Sequence, residues 1–207
     1  MTEYLKLLWT HECIRSRPGM YLGAVEEPRE QARGLVRWAV KTLRATLEPY
    51  HTSGLRLQIW RGEAFEIVCE GGGLPADLPP DTAGRMSRVD LLMTDLTPAW
   101  HQDEQRWMPM IGFGPVLNAL SSRVLIQSTW EGVGWESWYS RGGVLAPTRP
   151  SDGRFEGRTR VVFELDPLVF DPAARAFAAD PDGLLDLLPG EVSLHPMGAS
   201  EILYDPW

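Results

Sequence analysis

The longest regular hydrophobic pattern runs from residue 30 to residue 48. Leu35, Ala39, Leu43 and Thr46–Leu47 recur at helical spacing with Val36 and Val40 beside them, which predicts a long helix that buries one face and stops at Pro49. Residues 6–16 (KLLWTHECIRS) predict a short amphipathic helix ending before Arg17-Pro18. A period of two replaces the helical one at 55–60 (LRLQIW) and 64–70 (AFEIVCE). The Arg61-Gly62-Glu63 link between them suits a hairpin, and Gly71–Gly73 breaks the second strand. Further helices are predicted over 88–96, from Pro115 through VLNALSS, and over roughly 173–188; residues 97–111 read as irregular and polar. Strands are predicted at 123–130 and 134–141, joined at Glu131-Gly132, then at 159–165 and near 191–195. Helices interspersed with hairpins predict a layered α+β fold.

Composition narrows the partners. Apolar residues make up 43% of the 207 positions, which supports one core, expected as a single domain over 1–196 with a loose tail over 197–207. A net charge of −8 argues against direct DNA binding and against a membrane-surface protein, since both rely on clustered positive charge. Cys13 and Cys69 form no CxxC pair and read as reduced thiols of a cytoplasmic protein. Neither a leader nor a membrane span is expected, because the N-terminal residues lack a long apolar run and no stretch of 18 apolar residues occurs. His101 with Asp103 and Glu104 has a ligand-like spacing but sits in the polar stretch, and no metal site is expected. Trp130, Trp135 and Trp138 read as core or sheet surface.

Motifs carry the reading further. Residues 14–23 (IRSRPGMYLG) contain an Arg-Pro-Gly-Met-Tyr core in which Pro18-Gly19 predicts a turn followed by extended Met20, Tyr21 and Leu22. This stretch resembles VRKRPGMYIG, the N-terminal signature of gyrase-B-type ATPases. The likeness continues collinearly. Gly34-Leu35 is similar to the opening of the helix that carries EVVDNAIDE, Glu70-Gly-Gly-Gly-Leu-Pro75 to DGRGIP, and Leu91-Leu92-Met93-Thr94 to the helix before the lid. Gly112-Phe-Gly114 with Leu117–Ser121 is similar to the phosphate loop and its helix, Gly157-Arg158-Thr159 with Val161 and Phe163 to the TGTxVxF strand, and Gly190–Ser193 to the final strand. Over roughly residues 6–196 the chain thus resembles the ATP-binding domain of DNA gyrase B and its topoisomerase IV counterpart. The resemblance implies the GHKL fold, a two-layer α+β sandwich in which helices back a mixed sheet and a nucleotide pocket opens on the helical side. No stretch resembles the transducer or DNA-cleavage domains, so topoisomerase activity is not expected of this chain.

Carried over position by position, the resemblance implies nucleotide-binding candidates Glu70, Gly71, Gly73, Leu74, Pro75, Gly112, Gly114 and Thr159. Glu70 stands for the carboxylate that meets the adenine amino group, one methylene longer than aspartate, and equally suits an exposed strand end. Gly72 replaces an arginine of the turn. Gly112 and Gly114 stand for the phosphate loop, where backbone N–H groups hold phosphate oxygens, and also suit a plain helix start. Thr159 stands for the threonine that meets the adenine-side carboxylate, and a β-branched residue also simply suits a strand. The catalytic positions depart from the family. Its general base, a glutamate, aligns with Lys41, and its Mg²⁺-binding asparagine aligns with Ala45, or with Arg44 after a one-residue slip; no Asp, Glu or Asn lies between Gln31 and Thr46. A protonated lysine takes no proton, and Mg²⁺ wants oxygen ligands. Arg37, Lys41, Arg44 and Glu48 share one helix face, so the first three become candidate anion-facing residues, with a solvated face as the plain alternative.

Three functions are consistent with this sequence. The first is a catalytically degenerate binding or regulatory module, with ATP or ADP as candidate ligand, no Mg²⁺ site, and a gyrase-type subunit as candidate partner. The second is a divergent active ATPase using Glu48, Asp103 or Glu104 as base. The third is a structural or interaction protein. The family's arm-swapped dimer is not expected, because only Met1–Leu5 precede the aligned region.

Overall fold

The computed structural model describes residues 10–23, 27–47, 54–60, 64–71, 73–76, 86–95, 113–151, 158–180 and 192–196. In chain order these form α1 (Thr10–Ser16), α2 (Gly19–Leu22), α3 (Pro28–Leu47), β1 (Leu55–Trp60), β2 (Ala64–Cys69), α4 (Arg88–Thr94), α5 (Phe113–Leu120), β3 (Ser121–Trp130), β4 (Val133–Ser140), β5 (Gly143–Pro150), β6 (Thr159–Leu165), α6 (Pro172–Ala178) and β7 (Val192–Pro196). The strands make one sheet in the order β5-β4-β3-β6-β2-β1-β7. Neighbours are antiparallel except β1 and β7, which run parallel, so the sheet is mixed as expected.

Alternation along the strands assigns the two faces. Leu55, Leu57 and Ile59 of β1, Phe65, Ile67 and Cys69 of β2, Val124 and Ile126 of β3, and Val161, Phe163 and Leu165 of β6 join one buried cluster. It includes Leu35, Val36, Ala39, Val40, Leu43 and Leu47 of α3, each wholly screened from solvent. Phe65 and Phe163 stack at its centre, with ring centroids 5.4 Å apart. The opposite face carries a polar row. Gln58 pairs in register with Glu66, and Arg160 bridges the Glu66 carboxylate and Gln127. Gln127 donates to Glu136, which also accepts from Trp138 and Arg149. Glu66 and Arg160 are 4% and 7% exposed, so this ion pair is buried although it lies outside the main core.

Several elements differ from the sequence reading. Met20–Leu22 is not extended: it belongs to the helical turn α2, in which the amides of Tyr21 and Leu22 donate to the Pro18 carbonyl. Pro18, at φ −58°, is already set for a first helical turn. Gly34 does not open the long helix but lies inside it, because α3 begins at Pro28. Helix α5 begins at Phe113, two residues before Pro115, where a missing N–H costs nothing because the first turn's amides have no helical acceptor. Helix α4 stops at Thr94 because Asp95 turns extended, and a Ser87–Asp90 capping box closes its start. Strand β5 was not expected. It is the edge strand, largely exposed and interrupted by Pro147 and Pro150. The predicted irregular stretch 97–111 and the predicted tail 197–207 lie outside the described residues, as does most of the helical stretch beyond Ala178. Among the described residues no helix is long and apolar enough to cross a membrane.

Two buried carboxylates pin the layers together. Asp90 accepts from the Tyr139 hydroxyl at 2.7 Å and from the Thr148 hydroxyl and amide at 3.0 and 3.2 Å, tying α4 to β4 and β5. Burial beside this carboxylate pushes the Tyr139 phenol well up. Asp166 accepts from Arg15 at 2.6 Å, Arg141 at 3.0 Å and the Leu168 amide at 3.0 Å, tying α1 to the β4–β5 turn. Burial alone would raise the Asp166 carboxyl, but the Leu168 amide and the two guanidinium groups outweigh it, and it sits below the ordinary carboxylate value. A group depressed in the folded state contributes stability that is present above its unfolded value, about 3.9, and is lost as pH falls through the folded one. An Asp166→Asn variant is therefore expected to lose about 2 kcal/mol at pH 7. The gap from wild type should shrink below about pH 4 when both are titrated with urea.

Candidate functional site

The outward face of α3 is where the charge candidates lie. Lys41 is two residues beyond the core residue Ala39, about 200° round the helix, and both Arg37 and Lys41 are exposed. The turn α2 packs beside this face, and between them runs a groove of 470 Å³. Arg37, Lys41 and Glu30 supply its charges, and Met20, Tyr21 and Trp38 its apolar walls. Gly23, at φ +100°, ends the turn in a conformation that favours glycine and also lines the groove. Gly34 also lines the groove, and a Cβ there would meet only Leu22, at 3.7–3.8 Å, an ordinary contact. Close packing therefore does not require this glycine, which costs a helix interior about 1 kcal/mol relative to alanine. Arg44 is half-buried and is not among the residues lining the groove, and neither is the half-buried Ala45.

The other candidates lie apart from that groove. Strand β2 ends at Cys69, and Glu70 follows it as an exposed residue. The register sets Cys69, not Glu70, opposite Thr159. Cys69, Leu74 and Thr159 are each 0% exposed, and Pro75 is buried as well, so a ligand reaching them has to displace protein atoms. Gly71 is half-buried. Gly73 is pressed against β3: a Cβ there would fall 1.9 Å from the Thr129 carbonyl oxygen. The Leu74 carbonyl accepts from the Ser128 hydroxyl at 2.8 Å. Gly114 is equally confined, its Cβ position lying 2.0 Å from the Leu92 carbonyl oxygen, while Gly112 lies outside the described residues. Gly73 and Gly114 thus have packing reasons of their own.

Comparison with known proteins fits this architecture. No protein-family model matches the chain. DNA gyrase B of Mycobacterium tuberculosis (strain ATCC 25618 / H37Rv) is 28% identical over 168 residues, 77% of this chain. The type 2 topoisomerase B protein of Aquifex aeolicus is 24% identical over 176 residues, 82% of this chain. The 43K ATPase domain of Thermus thermophilus gyrase B, solved in complex with an aminocoumarin, superposes with a TM-score of 0.59 at 25% identity, covering 82% of this chain and 44% of that one. In fold and sequence this chain resembles the gyrase B ATPase domain. It spans 23% of the Mycobacterium protein and 21% of the Aquifex one.

In the ladder the neighbour of Thr159 is a thiol rather than a carboxylate. Cys69 was overlooked at the level of sequence, although its alternation with Phe65 and Ile67 already placed it on the helix-facing side. Asn118, in the stretch similar to the family's phosphate-loop helix, is wholly buried. Its amide donates to the Met93 and Gly143 carbonyls, and its carbonyl accepts from the Gly142 amide, so it joins α4, α5 and the β4–β5 turn. Of the groove walls, Met20 and Tyr21 lie in the Arg-Pro-Gly-Met-Tyr core but read there as an anchor of the turn rather than a site, and Trp38 has no sequence signal; Gly34, a poor helix former inside a strong helix, is the available clue.

Proposed function

We propose that this chain is a catalytically degenerate relative of the gyrase B ATPase domain, acting as a binding or regulatory module that does not hydrolyse ATP. The observation that supports the proposal is Lys41, an exposed ammonium on the outward face of α3, which the sequence resemblance aligns with the family's general base. No Asp or Glu lies between Gln31 and Thr46 to replace it; among the residues lining the groove the acid is Glu30, three turns back, and Glu48, two turns on, lies outside the described residues. ATP or ADP remains the candidate ligand, held without Mg²⁺, and a gyrase-type subunit the candidate partner. Residues 1–196 are proposed as the domain, with a tail over 197–207, working in the cytoplasm without direct DNA contact.

Loss of the general base alone removes about two to four orders of magnitude of rate, so phosphate release from ATP is expected at background. Mg²⁺-dependent release that persists through repurification and disappears in a Glu70→Ala variant would overturn the proposal. Thermal melts with ATP, ADP and GTP, with and without Mg²⁺, test retention of a nucleotide: a ligand of the native state raises the midpoint, and in this reading does so equally without the metal.

A further inference from the structure

We propose that the groove between α2 and α3 docks an acidic segment of a partner protein, one carrying an apolar anchor beside two carboxylates. The inference rests on the reading of this chain as a binding module and names what the module binds.

Three observations support it. Gly34 stands two turns inside a 20-residue helix. No close approach explains it, since a Cβ would only touch Leu22 at ordinary contact distance. What its missing side chain leaves is space on the groove floor. Along that floor Arg37 and Lys41 project one turn apart, with Glu30 as the opposing charge among the lining residues. The groove is therefore locally cationic in a chain of net charge −8, and complementarity of this kind selects acidic partners and steers their approach. The walls are apolar and adaptable: Met20 is 72% exposed, and its unbranched thioether adjusts to differently shaped anchors, beside the rings of Tyr21 and Trp38. Two cations one helical turn apart match two carboxylates one turn apart on a partner helix, with the anchor between them against Met20 and Trp38. A triphosphate calls for convergent backbone N–H donors, whereas the groove's positive charge comes from two side chains.

The test uses the full chain at low salt and a fluorescein-labelled helical peptide of Ala, Glu and Leu, with two glutamates four residues apart flanking a leucine. Fluorescence anisotropy is expected to show binding that weakens with salt and is lost when the glutamates are glutamines. An Arg37→Glu, Lys41→Glu double variant should bind roughly tenfold more weakly or worse. Gly34→Gln is the complementary variant. It should raise the melting midpoint by about 2–4 °C, because it removes a helix-interior glycine, and it should still abolish binding by filling the floor. No binding by wild type, equal binding of the glutamine peptide, or undiminished affinity in Gly34→Gln would each overturn the docking proposal. Competition by ADP would do so too, assigning the groove to a nucleotide. None of these outcomes touches the absence of hydrolysis, which only the phosphate-release assay can overturn.

Discussion

Gly114→Ala is expected to destabilise the protein by about 3 kcal/mol, lowering the thermal midpoint by roughly 6–12 °C. The added Cβ would sit 2.0 Å from the Leu92 carbonyl oxygen and 2.6 Å from the Met93 Cα. Both are backbone atoms of α4, so no side-chain rotation relieves the clash. Either α5 retreats from α4 or the start of α5 unwinds, and retreat would also stretch the hydrogen bond of 3.1 Å from Asn118 to the Met93 carbonyl. A calorimetric or circular-dichroism melt of the purified variant checks this. A midpoint within about 2 °C of wild type would mean that the contact between the two helices is far looser than described. The same variant separates two roles of this glycine, since a purely phosphate-binding residue would change ligand affinity and leave the ligand-free melt alone.

Glu66→Ala should cost about 3 kcal/mol, because it leaves the Arg160 guanidinium buried without its carboxylate. Arg160 is 7% exposed and held in the middle of the sheet between Glu66 and Gln127, so it has little freedom to reach water. With a urea m-value of about 3 kcal/mol/M the unfolding midpoint would fall by roughly 1 M with an unchanged slope. A Glu66→Ala, Arg160→Met double variant should be more stable than the single one, because replacing both partners with apolar groups removes the uncompensated charge. If the double variant is the less stable, Arg160 contributes chiefly through its other contacts.

The parts legible in the sequence were those set by local periodicity. The 3.6-residue period of Leu35, Ala39 and Leu43 and the alternation of LRLQIW and AFEIVC produced α3 and the β1–β2 hairpin, and the ordered motifs led to the fold. Strand β5 was hidden because two prolines and a glycine read as breakers, whereas an edge strand tolerates them where no ladder hydrogen bond is needed. The Pro18-Gly19 pair read as a turn with an extended exit, although proline's fixed φ is equally suited to a first helical turn. Among the site candidates, the shared face of Arg37 and Lys41 follows from helix spacing alone. The groove does not, since it exists only because residues 20–23 come back over Gly34. Likewise, which of Cys69 and Glu70 stands beside Thr159 depends on where β2 stops pairing with β6, a matter of register that single-strand alternation leaves open.

The exposed edge at β5 bears on how the protein behaves in a crowded solution. Val144 and Leu145 are 38% and 65% exposed, with Val133 of the adjacent strand at 44%, and an apolar strand at the end of a sheet invites further chains to add to it. Pro147 and Pro150 withhold two of the N–H groups such a chain would need, and Arg149 leaves a charge on the same strand. Recruitment by sheet extension is thereby discouraged beyond the few residues before Pro147. Replacing both prolines with valine would remove that protection and favour aggregation at high concentration.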